Sequence, residues 1–126
     1  MTNSKLTLKK DERIKKKRES DLLFKEGKST FSYPLKAKYL LIDRNIPQYS
    51  AKIMVSVPKK KVKRAYKRNL IRRRVKEAYR INKVQLNKAI PHDKTLLIAL
   101  IYINNEAEKF ETIEKGVLKL FSKIEL

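Results

Sequence analysis

The sequence predicts a single small α+β domain in the order helix, strand, strand, helix, strand, helix, with helices packed on one mixed sheet. Three observations carry that expectation. Two alternating runs precede the middle of the chain, Leu96 to Ile103 is almost continuously apolar, and two long segments repeat apolar residues three and four apart. At 126 residues the chain can bury one real core but hardly two.

Taken in order, Met1 to Lys10 has no clear period and reads as a flexible basic arm, which leaves residues 11–126 for the domain. From about Lys15 to Glu26 a short helix is expected, with Leu22, Leu23 and Phe24 following charged residues and Gly27 as its stop. Tyr33 to Ile42 alternates as a strand, with Leu35, Ala37, Tyr39 and Leu41 on one face and Lys36 and Lys38 on the other. Asp43 to Ser50, with Arg44-Asn45 and Pro47, reads as a loop. Ala51 to Val57 is a second strand with Ile53, Val55 and Val57 inward, and Pro58 ends its ladder because proline has no N–H to donate. The two strands are expected to pair as a hairpin. Val62 to about Lys83 has helical periodicity. Thr95 to Ile103 is expected at the centre of the sheet, buried on both faces. After Asn104-Asn105, a good N-cap pair, Glu106 to Ile124 places Phe110, Ile113, Val117, Leu120, Phe121 and Ile124 at helical spacing.

Charge narrows the function. Thirty-three Lys and Arg against thirteen Asp and Glu give a net charge of +20, which repels itself in a compact fold unless a polyanion neutralises it. Nucleic acid or an anionic membrane surface would serve. The absence of cysteine excludes disulfides, thiol chemistry and Cys-based zinc sites. No apolar run has signal-peptide or membrane-spanning length, so a soluble cytoplasmic protein is expected.

The charge is concentrated rather than spread. Between Lys59 and Lys83 stand thirteen Lys or Arg residues and a single acid, Glu77, while the last helix is nearly neutral. Projected at a helical period, Ile71, Val75, Ala78 and Tyr79 share one side and would pack on the sheet. On the adjoining side Asn69, Arg72, Arg73, Lys76 and Arg80 form a stripe, with Arg68 at its edge. Guanidinium forks match phosphate bidentately, and asparagine can donate and accept at a base edge or sugar hydroxyl. Most charge runs are only solvated helix faces, but those usually mix signs and this one does not. Lys59, Lys60, Lys61 and Arg64 lead into the stripe and are less specific, since a basic loop before a helix is common.

A nuclease site of the chain's own would need clustered carboxylates or a histidine pair. The chain has one histidine, His92, in a predicted loop, and its closest acid pairs are Asp11-Glu12 and Glu106-x-Glu108. Neither pair has partners in sequence, and the second suits a helix start, where acids favour the dipole.

The run from Val62 to Glu77, VKRAYKRNLIRRRVKE, resembles the signature of the bacterial ribonuclease P protein component. Arg13-Ile14-Lys15, the stretch from Leu23 to Ser29, and Tyr33-Pro34-Leu35 are similar to that family's N-terminal region in the same order. The likeness covers about residues 9 to 103, and the final helix fits by position. Two departures stand out: Leu70 replaces the second arginine of the family's Arg-Asn-Arg, a contact Arg73 or Arg74 would have to supply, and Ser20 takes a place that is usually apolar or aromatic.

The resemblance implies a fold like the second domain of a small-subunit ribosomal protein, with an unusual left-handed crossover into which the basic helix is built. It implies no catalytic residues in the protein. A catalytic RNA, ribonuclease P RNA, holds the magnesium and hydrolyses the phosphodiester that joins the 5′ leader to precursor tRNA. The RNA would meet Lys60, Lys61, Arg64, Arg68, Asn69, Arg72, Arg73, Lys76 and Arg80. The leader would lie in a cleft between the sheet and the first helix, near Phe24, Tyr33, Tyr39 and Tyr66, with Lys36, Lys38 and Lys52 as phosphate neighbours. No obligate protein partner and no membrane are expected. Two other readings stay open: a structural ribosomal protein of the same size and charge, and a membrane-surface protein, for which Ile71, Val75 and Ala78 form only a modest apolar face.

Overall fold

The computed structural model describes residues 13–14, 16–43 and 51–124. Its elements are α1 (Lys17–Glu26), β1 (Lys28–Ser32), β2 (Leu35–Asp43), β3 (Ala51–Ser56), α2 (Ala65–Ala89), β4 (Lys94–Tyr102) and α3 (Phe110–Lys123). The basic arm expected at residues 1–10 and most of the loop expected at Asp43 to Ser50 lie outside the described residues.

The four strands form one mixed sheet in the order β1-β2-β4-β3. β4 is central, antiparallel to β2 and parallel to β3, with α2 as the crossover between the parallel pair. Its position follows from its composition. Leu96, Ile98, Leu100 and Tyr102 enter the main core on one face, while Leu97 and Ala99 are buried on the other, as expected of a strand covered on both sides. On the main face α2 packs over β3, and α3 lies against α2, β1 and β2. The inward residues predicted for these helices hold: Ile71, Val75, Ala78, Tyr79, Ile113, Val117 and Leu120 are fully buried, and Tyr79 meets Phe121 edge to face with ring centroids 6.1 Å apart.

On the opposite face α1 covers the sheet, seating Leu23 on Leu97 and Ala99 with Ile14, Leu40, Ile42 and Met54 around them. Arg13 bridges to Ile53 in parallel, and the Ile14 N–H donates to the Ile53 carbonyl at 2.9 Å, so the segment before α1 covers the outer edge of β3.

The structure corrects the expected topology in three places. The expected hairpin between Tyr33–Ile42 and Ala51–Val57 does not form, because β4 pairs with both and separates them. The hairpin is instead β1-β2, and β1 was absent from the expected order. Its sequence, KSTFS, has no apolar alternation, because an edge strand half open to solvent needs little. Third, the last helix starts at Phe110, not Glu106, and no side chain caps it. Asn104 turns to tertiary partners, and the Tyr102 hydroxyl holds the intervening loop by donating to the Glu106 carbonyl and accepting from the Glu108 N–H.

Gly27 does end α1, but not through a left-handed residue: its φ is −70° and ψ 151°. Glycine is needed there for space. A Cβ would sit 2.4 Å from the Leu23 carbonyl oxygen and 3.1 Å from that of Tyr39. Gly116 similarly lets α3 approach the Tyr33–Pro34 turn, where a Cβ would lie 2.7 Å from the Tyr33 carbonyl oxygen.

Candidate nucleic-acid interface

The buried row Ile71, Val75, Ala78 and Tyr79 fixes the rotation of α2, and the stripe follows from it. Asn69 and Arg73 are exposed, and Arg72 and Lys76 half-exposed, on the flank of α2 away from α3. That α3 lies on the other flank is shown by Arg74, which donates to the Glu108 carbonyl, and by Asn82, which donates to Glu114 at 3.0 Å. Arg72 donates to the Asn69 side-chain oxygen at 3.0 Å, so the two present a joined polar surface. Lys76 is squeezed among like charges: partial burial first, then the Arg13 and Arg72 guanidinium groups, lower its pKa from the usual lysine value. A phosphate at this point would relieve the repulsion. Arg13 thereby joins the stripe, and no helical periodicity could have found it, because the β3 edge pairing brings it there.

Two of the predicted stripe members are already engaged. Arg80 forms a two-pronged pair with Glu77, at 2.9 and 2.6 Å, which raises the Arg80 pKa and lowers that of Glu77. Its positive field is damped accordingly. Arg68 reaches back to donate to the carbonyls of Val62 and Lys63 at 3.0 and 2.7 Å, tying the start of α2 to the basic loop. Lys60 and Lys61 are exposed in that loop, which is closed by Lys61 and Val62 N–H groups donating to the Pro58 carbonyl and anchored by buried Val62. Arg64, also exposed, is the N-cap residue of α2, and the first turn of the helix carries no acid, so its N–H groups and dipole favour an anion.

These placements separate two substitutions. Arg72→Ala is expected to reduce the salt slope of RNA affinity by about 0.7 to 0.9 without changing stability. Arg68→Ala is expected to cost about 1–2 kcal/mol in denaturant unfolding, because it frees two carbonyls of the loop. Equal unfolding midpoints for the two variants would remove the loop-tying role from Arg68.

A second surface lies on the α1 side of the sheet. β-Ladder partners share a face, so Phe31, Lys36, Ile101 and Ser56 form one row across all four strands, and Ser29, Lys38, Ala99 and Met54 the next. Lys36 is exposed. Lys38 donates to the Phe24 carbonyl at 2.9 Å, satisfying the C-terminal end of α1. Lys52 is paired with Glu19 at 3.0 Å, both side chains largely buried. Ser20, the departure in α1, turns inward with its hydroxyl 3.9 Å from the Met54 sulfur. Phe24 is 40% and Phe31 50% exposed. Sequence patterning missed Phe31 because its strand was missed; an aromatic standing alone in a polar strand was the available signal.

The predicted aromatics divide. Phe24 joins Lys36 and Lys38 at this surface. Tyr39 does not: the register places it on the helix-covered face, 6% exposed, where its own alternation with Leu35 and Ala37 already put it. Tyr66 is exposed in the first turn of α2. Tyr33 sits half exposed in the β1–β2 turn, its hydroxyl bonded to Glu108 and accepting from Asn104 at 2.8 Å, and the Glu108 carboxylate pushes its pKa up. Glu108 is thus a structural anchor. His92 is exposed in the turn after α2, and among the described residues no three His, Cys, Asp or Glu side chains converge. No helix among them is long and apolar enough to cross a membrane.

The Ribonuclease P family model matches residues 8–125 of the chain. A ribonuclease P protein component from Porphyromonas gingivalis is 37% identical over 118 residues, covering 93% of this chain and 85% of the relative. Among solved structures, the ribonuclease P protein from Thermotoga maritima superimposes with a TM-score of 0.69 at 27% identity, over 90% of this chain and 98% of that one. The Staphylococcus aureus protein, at 22% identity, shares the fold with a TM-score of 0.62 over 91% of this chain and 92% of its own.

Proposed function

Because the chain belongs to the ribonuclease P protein family, we propose that it is the protein subunit of the ribonuclease P ribonucleoprotein, gripping the catalytic RNA along α2 and the 5′ leader of precursor tRNA on the α1 side of the sheet. The observation that carries this reading is the cationic cluster of Asn69, Arg72, Arg73 and Lys76 beside Arg13, with the nearby Glu77 paired to Arg80, held on a helix whose other side is anchored in the core. Such a surface is built for a phosphate backbone. Partial burial and then the neighbouring Arg13 and Arg72 guanidinium groups disfavour the Lys76 charge, and a bound phosphate would favour it.

Catalysis falls to the RNA. On this reading the magnesium that the reaction needs belongs to the RNA subunit, as the resemblance implies, and the protein carries no catalytic residue. The protein's work is electrostatic: it neutralises phosphates that the RNA and its substrate bring together, and it keeps the leader extended against a rigid sheet.

The test is cleavage of a precursor tRNA by ribonuclease P RNA across a magnesium titration, with and without the protein. The protein is expected to lower the magnesium required and to be inert alone. Unchanged magnesium dependence, together with co-sedimentation on ribosomal subunits at moderate salt, would replace this reading with a ribosomal one.

A further inference from the structure

The first two turns of α2 carry an apolar step in the midst of the charge. Tyr66 is 63% exposed, more than any other large hydrophobic side chain among the described residues, and it makes neither a ring contact nor a hydrogen bond among them. Positions 66, 69, 70 and 73 share one face of the helix, so Asn69 and Leu70 lie one turn from the ring and Arg73 two turns. Leu70 is half-buried, while Asn69 and Arg73 are exposed. A lone aromatic on a protein surface is ordinary. The surroundings of this one are not: Lys63 and Arg64 stand exposed before it, Lys67 follows it, and the first turn of α2 holds no acid. Single-stranded nucleic acid offers what such a place lacks, a flat π-face on an anionic backbone.

We infer that Tyr66 is a stacking platform for an unpaired base of the catalytic RNA, supported by Leu70, with Arg73 taking a phosphate of the same strand. The inference rests on the reading of α2 as the grip on that RNA and deepens it, from attraction of phosphates to capture of a base. It also gives Leu70 a use. Helical side chains lean toward the N-terminus, so Leu70 leans toward position 66, and a tyrosine and a leucine four residues apart make a favourable apolar pair. That pair steadies the ring without covering its outer face. An arginine at position 70 would instead add a charge and leave the ring unsupported. Of the arginines that follow, Arg74 is spent on the Glu108 carbonyl, whereas Arg73 makes no hydrogen bond or ion pair among the described residues and is open to phosphate. Stacking is tolerant of base identity and releases no counterion, so the Tyr66 contact adds affinity that salt does not remove.

The experiment measures binding of the full chain to ribonuclease P RNA over a salt series. Tyr66→Ala should bind about tenfold more weakly at every salt concentration, with the wild-type slope, whereas Arg73→Ala should flatten the slope by about 0.7 to 0.9. Tyr66→Phe should keep the affinity and Tyr66→Leu should lose it, since the ring and not its bulk is what stacks. Leu70→Ala should weaken binding a few-fold, and that loss should vanish in the Tyr66→Ala background, because Leu70 acts as a positioning residue through the ring. The chain has no tryptophan, so Tyr66→Trp adds a single reporter whose emission the RNA should quench. Denaturant unfolding of Tyr66→Ala should match wild type, the ring being exposed. A Tyr66→Ala affinity equal to wild type, a Tyr66→Leu variant that binds as wild type does, or an unquenched tryptophan overturns the inference while leaving the charge-based grip of α2 intact. A wild-type chain whose affinity for this RNA is indifferent to salt would overturn both.

Discussion

Replacing Arg72, Arg73 and Lys76 together with alanine is expected to weaken binding to ribonuclease P RNA by about a thousandfold at low salt, and to flatten the salt slope by about 2 to 3. Three charge-assisted contacts at about 1.5 kcal/mol each account for the loss. The fold should survive, because none of the three is buried and, among the described residues, only Arg72 makes a side-chain hydrogen bond, to Asn69 on its own helix. Removing Lys76 even relieves repulsion with Arg13 and Arg72, so the free protein should unfold at an equal or higher denaturant concentration than wild type. Filter binding over a salt series, beside a denaturation curve, checks both halves. A triple variant that loses stability, or that keeps the wild-type slope, would take the stripe out of the interface.

Leu100→Ala should have the opposite profile, costing about 3–5 kcal/mol of stability, a large share of what a domain this size possesses. Leu100 is fully buried at the centre of β4, between Ala37 of β2 and Val55 of β3. A small neighbour and a strand on either side leave little that can collapse into the space. Leu97→Ala is the informative control. Leu97 lies on the other face, in a cluster whose fully buried members among the described residues are Leu23, Leu97 and Ala99. Its loss should loosen α1 and weaken leader binding first, with affinity for the catalytic RNA along α2 preserved. Denaturant unfolding of the two variants, with precursor binding for the second, separates these outcomes; an undiminished unfolding midpoint for Leu100→Ala would contradict the core described above.

The elements with strong patterns were legible. The double-sided burial of β4 follows from LLIALIYI, and the core-facing side of α2 follows from the spacing of Ile71, Val75, Ala78 and Tyr79, because hydrophobic burial leaves its period in the chain. The stripe was legible for the same reason, as the complement of that buried side. What lacked a pattern was missed: β1 is polar because it is an edge, and the late start of α3 depends on bonds from Tyr102 and Asn104 to a loop seven residues long or less.

By itself, then, the sequence determined an α+β chain with a net charge of +20, a basic helix with one greasy side, and the family to which that helix points. Only the tertiary structure decided which strands pair and which cations are spent inside the molecule. Local periodicity says nothing about partners distant in the chain, so it could not show that β4 would come between β2 and β3. Nor could it show that Arg13 would stand beside Lys76, that Arg68 would be held by its own loop, or that Lys38 and Lys52 would secure α1 and leave Lys36 open beside Phe31.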